Sequence, residues 1–143
     1  MNNVTFPDAG YMNGLMKQFR DLGIVVPFIN NVAWASGIDA PGTAAPVDIY
    51  GYNSYPLGMD CSDPKNWTDG ALPTDGWKTH LEQSPNTPHM LVEYQGGATQ
   101  TPGGAGFDKC AEFINHEFER VFYKNNIAAG TTITGFYMVG EIL

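Results

Sequence analysis

Basic residues are scarce in this sequence. Seven Lys and Arg stand against fifteen Asp and Glu, a formal charge of -8 over 143 residues. The few bases are scattered, so the chain has no electrostatic footprint for DNA or RNA. Histidine and cysteine are sparse as well. His80, His89 and His116 stand singly, and Cys61 and Cys110 are too few and too far apart for a cysteine-built zinc site. This pattern argues against a metal centre, and nothing in it calls for a cofactor. No apolar run approaches the ~18 residues needed to cross a bilayer, and Met1-Asn2-Asn3-Val4 lacks the basic and apolar stretches of a signal peptide.

What the chain has instead is 13% aromatic residues, seventeen Gly and ten Pro, with only 15% charged residues. That composition suits one packed domain with long ordered loops, and aromatic-rich loops suit a sugar-binding cleft. There is no internal repeat, low-complexity tract or interdomain linker.

Hydrophobic periodicity sets out the elements. Asp8 can cap a helix whose core stripe is Met12, Leu15, Met16, Phe19 and Leu22, and Gly23 ends it. Ile24-Val25-Val26-Pro27-Phe28-Ile29 predicts a strand buried on both faces, with Asn30 and Asn31 at its carboxyl end. Val47-Asp48-Ile49-Tyr50-Gly51-Tyr52 predicts a second strand, with Asn53, Ser54 and Tyr55 at its exit. After a long loop with Cys61 and Trp67 comes a short helix over 77–83. Leu91-Val92-Glu93-Tyr94-Gln95-Gly96-Gly97 is then a short buried strand ending in a Gly pair that lets the backbone turn close to a ligand. Phe107, Cys110, Ala111, Ile114, Phe118, Val121 and Phe122 mark one long amphipathic helix, and residues 132–138 a final strand.

Four strands alternating with helical or loop connections imply a parallel α/β sheet. A complete (β/α)8 barrel takes ~200 to 250 residues, so the length fits either a small doubly wound sheet or a piece of a barrel. In a barrel, the carboxyl ends of the strands form the active-site rim, which makes Glu93 a catalytic candidate. The same spacing also describes a strand running into a surface turn.

Four blocks in order carry a resemblance. They are Val47-Asp48-Ile49-Tyr50-Gly51, the stretch from Asn53 to Cys61, the Glu93 strand, and Asn115-His116-Glu117-Phe118-Glu119-Arg120-Val121-Phe122-Tyr123-Lys124-Asn125. Together they resemble the large β-galactosidases of glycoside hydrolase family 35 in their fungal secreted form, over nearly the whole chain. The resemblance implies that residues 1–143 are the C-terminal half of a (β/α)8 (TIM) barrel, roughly the helix after strand four through strand eight. It implies removal of terminal β-linked galactose with retention, Glu93 as nucleophile, Tyr55 lining the galactose pocket, and a disulfide between Cys61 and Cys110. The implied partners are a β-galactoside and the remainder of the barrel, with no nucleic acid and no membrane, and the implied location is extracellular. Asn3-Val4-Thr5 and Asn66-Trp67-Thr68 fit the N-glycosylation pattern and agree with secretion.

The sequence also departs from the family. The general acid lies in an Asn-Glu-Tyr motif that does not occur here, so the chain is expected to begin just past it. Thr101-Pro102 replaces a tryptophan-bearing spot, and residues 139–143 do not continue as the family does. A retaining glycosidase needs two carboxyl groups about 5 to 5.5 Å apart. Within this chain Asp48 lies early in its strand, Asp60 beyond the pocket loop and Glu141 in the divergent tail, which makes each a poor acid. Glu112, Glu117 and Glu119 belong to an outer helix and are expected to be solvated or paired. The isolated chain is therefore expected to be inactive. Two alternatives remain: a non-catalytic galactoside-binding domain or pseudoenzyme, and a flavodoxin-like domain. The second is disfavoured because Asn30-Asn31-Val32-Ala33 is no phosphate-cradling loop.

Overall fold

The computed structural model describes residues 8–99 and 102–139. The Asn3-Val4-Thr5 triplet, Thr101 and Glu141 lie outside the described residues. Asp8 caps α1 (Ala9–Asp21) by accepting the Tyr11 N–H at 2.9 Å. Gly23, with φ of 86°, takes the left-handed conformation that ends it.

The α1 stripe is not core. Met12, Leu15, Met16 and Phe19 are half-buried, and Leu22 is 73% exposed. α1 lies against the segment after it, with the Phe19 and Phe28 rings 5.8 Å apart and the Arg20 guanidinium 4.0 Å from the Phe28 ring centroid, and reaches further to Ala44 through Asn13 and to Asp48 through Arg20.

That following segment forms no strand. Residues 28–32 touch the sheet through two isolated parallel bridges, Ile29 to Ile49 and Val32 to Tyr52. The physical reason is that side chains take the backbone groups a ladder would use. Arg20 donates to the carbonyls of Ile24 and Val26, Asp48 accepts the Phe28 N–H, and Pro27 has no N–H to give. Val25, expected inside, is 85% exposed.

Three parallel strands follow: β1 (Gly51–Ser54), β2 (Met90–Gln95) and β3 (Ile133–Tyr137), in the order β1-β2-β3. Between the first two lies α2 (Gly76–Gln83). Each strand lies beside its predecessor in sequence, and the bridged residues 28–32 precede β1 in the same sense. Among the described residues the sheet therefore winds one way, without the reversal of a doubly wound fold.

The predicted long helix is broken. It comprises α3 (Phe107–Phe113), α4 (His116–Phe118), a π-helical turn (Glu119–Tyr123) and α5 (Lys124–Ala128). The break is at Asn115, whose side chain accepts the N–H groups of Glu117 and Phe118 and so starts a new helix. Apolar spacing hides this, because Ile114 and Phe118 on either side are both buried. As expected, the glutamates here are paired or solvated: Glu112 pairs with Lys109 and Glu117 with Arg120, and Glu119 is exposed.

The core lies between the sheet and these helices and is largely aromatic. Tyr94 stacks on Phe118 at 6.4 Å, Phe118 on Phe122 at 4.5 Å, and Trp67 closes edge-on over both phenylalanines.

Candidate functional site

Three segments meet at the carboxyl end of the sheet. Glu93 comes from the carboxyl half of β2, Tyr55 from the residue after β1, and Asn31 from between the two bridges that hold residues 28–32. The Tyr55 hydroxyl donates to Glu93 Oε2 at 2.6 Å, and the Asn31 amide donates to Oε1 at 2.8 Å. Each carboxylate oxygen thus has its own donor. The two hydrogen bonds, Tyr55 first and Asn31 second, hold the Glu93 carboxyl below its usual range against the opposing effect of desolvation. Burial, then the hydrogen bond to Glu93, pushes the Tyr55 phenol up. Tyr55 therefore stays a neutral donor beside an anion, and the Tyr137 ring meets it edge-on at 6.3 Å.

The loop that carries Tyr55 is fixed from below. Gln95 is fully buried; its Oε1 accepts the Leu57 N–H at 3.0 Å and its Nε2 donates to the Gly58 carbonyl at 2.6 Å. Further along, Cys61 and Cys110 form a disulfide across 49 residues with their Cα atoms 5.0 Å apart, which ties the loop to α3.

The Gly96-Gly97 pair is explained by chain approach. A Cβ on Gly96 would lie 2.6 Å from Val139 Cγ2 and 2.9 Å from the Tyr137 carbonyl oxygen, and one on Gly97 2.6 Å from the Met138 carbonyl oxygen. The pair serves close contact with the exit of β3, where Gly96 N–H bonds the Tyr137 carbonyl.

Sequence reasoning brought Glu93 and Tyr55 to one place and missed two contributors. Asn31 was visible only as a polar residue at a segment end, 62 positions from Glu93. Gln95 lay inside the Glu93 stretch, but its role depends on loop backbone 38 positions away. The other acids stand elsewhere. Asp48 pairs with Arg20, and Asp60 accepts the Ser62 N–H at the surface. Among the described residues Glu93 has no cationic partner, no group of three His, Cys, Asp or Glu is placed to hold a metal ion, and no helix is long and apolar enough to cross a membrane. His80 and His89 are buried far from this cluster, at α2 and at the start of β2.

The family described as "Glycosyl hydrolases family 35" matches residues 2–140. The chain is 56% identical over 135 residues to a "Beta-galactosidase A" of a Penicillium species, covering 94% of this chain and 13% of that protein. It is 53% identical over 137 residues to a "Probable beta-galactosidase A" of Neosartorya fischeri, covering 95% and 14%. Against a "Beta-galactosidase" of Aspergillus niger the identity is 52% over 139 residues, covering 96% and 14%. The chain thus spans only 13–14% of the length of these relatives.

Proposed function

The chain belongs to glycosyl hydrolase family 35, and from that premise we propose that it is the part of a retaining β-galactosidase barrel that carries the nucleophile. The observation behind this reading is the Glu93 carboxylate at a parallel strand exit, with Tyr55 on one oxygen and Asn31 on the other. The unreversed strand order β1-β2-β3 agrees with a barrel segment, in which such exits form the active-site rim. On this reading residues 28–32 and the three strands are successive staves, and the unpaired edges of the sheet receive the rest of the barrel.

In the reaction a Glu93 oxygen attacks the anomeric carbon of a terminal β-galactoside, and the bond from that carbon to the aglycone oxygen breaks. An acid from outside the described residues protonates the departing oxygen. The galactosyl ester on Glu93 is then cleaved by water, which restores the carboxylate and retains the configuration. This chain's residues keep the nucleophile ionised, through Tyr55 and Asn31, and hold the pocket wall at Tyr55 in place, through Gln95 and the Cys61–Cys110 disulfide. Secretion agrees with the disulfide and with the exposed Asn66 of the Asn66-Trp67-Thr68 triplet.

The test is a chimaera in which this chain replaces the matching segment of the Penicillium relative. Treatment with a fluorinated galactoside that forms the ester quickly and releases it slowly, followed by peptide mapping, is expected to place the label on Glu93. Glu93→Gln is expected to abolish labelling and to lower turnover by several orders of magnitude while galactose still binds. A label on another residue overturns the assignment. A chimaera that binds galactose but neither labels nor turns over favours a non-catalytic binding domain.

A further inference from the structure

We propose that Asn31 is a positioning residue for the nucleophile, and that the Asn30-Asn31 pair is a device that holds the Glu93 carboxylate plane from the segment before β1. This rests on the reading of Glu93 as the nucleophile. A carboxylate on a flexible Glu side chain rotates about its last torsion unless both oxygens are held. Tyr55 alone holds Oε2 and leaves that rotation free. Asn31, reaching Oε1 at 2.8 Å from a different segment, makes the second point that fixes the plane.

Asn31 is itself fixed more firmly than its exposed position suggests. On its near side, Ile29 bridges to Ile49; on its far side, Val32 bridges to Tyr52 and its carbonyl accepts the Asn53 N–H at 2.8 Å. The neighbouring Asn30 side chain is buried and works in the opposite direction. Its Oδ1 accepts the Gly51 N–H at 2.8 Å and its Nδ2 donates to the Ile38 carbonyl at 2.9 Å. Successive residues of an extended segment point to opposite sides, so anchoring Asn30 in the protein delivers Asn31 to Glu93. Two amides thus do the work that a regular ladder would do for a strand. The groups that face Glu93 are Tyr55, a neutral donor, and Asn31, which does not titrate; no histidine, lysine or arginine contacts it among the described residues.

A positioning role predicts effects that a purely structural role does not. In the chimaera, Asn31→Ala is expected to lower kcat about tenfold or more while changing KM for a chromogenic galactoside by less than about threefold. The acid limb of the kcat/KM profile is expected to move to higher pH, because a donor to the charged form is gone. Asn31→Asp keeps the size and places a like charge beside Glu93, so it is expected to move that limb further in the same direction. Asn31→Asp also serves if Asn31→Ala fails to fold. Acid limbs that stay where they are in both variants overturn the proposal. The two layers separate cleanly: a fluorinated-galactoside label away from Glu93 in the unsubstituted chimaera removes the reading of the nucleophile. A label on Glu93 with unmoved acid limbs removes the role of Asn31 alone.

Discussion

The Tyr52 hydroxyl, from β1, lies 2.8 Å from Nε2 of His89, the residue before β2. His89 is 3% exposed, its ring stacks on that of His80 at 4.9 Å, and Trp77 stacks on His80 at 5.6 Å. Thr131 Oγ1 approaches Nδ1 at 3.3 Å. Burial, and then the charge of His80, push the His89 imidazole down to about 4. Tyr52 is pushed up to about 12, chiefly by its burial, so near neutral pH a neutral phenol meets a neutral imidazole.

This fixes a pH dependence of stability. His89 takes up its proton near pH 6.5 when unfolded and only near 4 when folded. The unfolded state therefore binds more protons between those values. Its contribution is complete above about pH 6.5, declines as the pH falls, and is lost by about pH 4, a span of roughly 2–3 kcal/mol. Thermal unfolding of the chimaera from pH 7 to pH 4 is expected to show a steeper decline than the His89→Gln variant, which has no such proton. Parallel declines in the two proteins count against the assignment.

Gln95 is the second residue whose loss is informative. Gln95→Leu keeps the bulk but leaves the Leu57 N–H and the Gly58 carbonyl without partners inside the protein. Each unpaired buried group costs about 1–3 kcal/mol. The variant is expected to unfold at lower temperature, and to raise KM through a misplaced Tyr55, which precedes Leu57 by two residues. Unchanged stability and KM together rule out the clamp.

Removing the Cys61–Cys110 disulfide opens a closed loop of 49 residues. In the chain-entropy picture this costs about 4 kcal/mol. The double variant Cys61→Ala, Cys110→Ala in the chimaera is expected to show that loss in denaturant unfolding, and greater protease sensitivity around residues 56–75. A loss well under 1 kcal/mol indicates that Gln95 and the Trp67 side chain, which donates to the Phe113 carbonyl, already hold the loop.

These cases show which parts of the molecule are local enough to read from sequence. The cap at Asp8, the glycine stop at Gly23 and the strand ending at Gln95 each depend on neighbours within a few positions, and all three are present. Residues 24–29 were misread because β-branched composition does not reveal that Arg20 and Asp48 take the backbone groups. The helix break at Asn115 was invisible for a different reason: apolar spacing continues through it while the polar cap starts the next turn. In the site, Glu93 and Tyr55 were legible at strand exits. Asn31 was not, since its meaning comes only from the register that places it beside Glu93.

The last prediction concerns the 143-residue chain by itself. Among the described residues β3 pairs only with β2, and it presents Phe136 and Tyr137 with about half of each exposed. At the opposite side Val25 and Val26 are still more open, at 85% and 61%. An edge strand with free backbone groups and apolar side chains is a template for pairing with another chain, and contiguous apolar surface favours association. α1 meanwhile has no buried residue. The isolated chain is therefore expected to elute as oligomers or aggregates, to lose α1 first in hydrogen exchange, and to release no chromophore from a chromogenic galactoside. On the proposed reading, adding the remaining barrel segments of the Penicillium relative in trans is expected to protect the edges and raise solubility. A monodisperse monomer with a single cooperative unfolding transition would show that these surfaces need no cover, and turnover above background would show that the chain supplies its own acid.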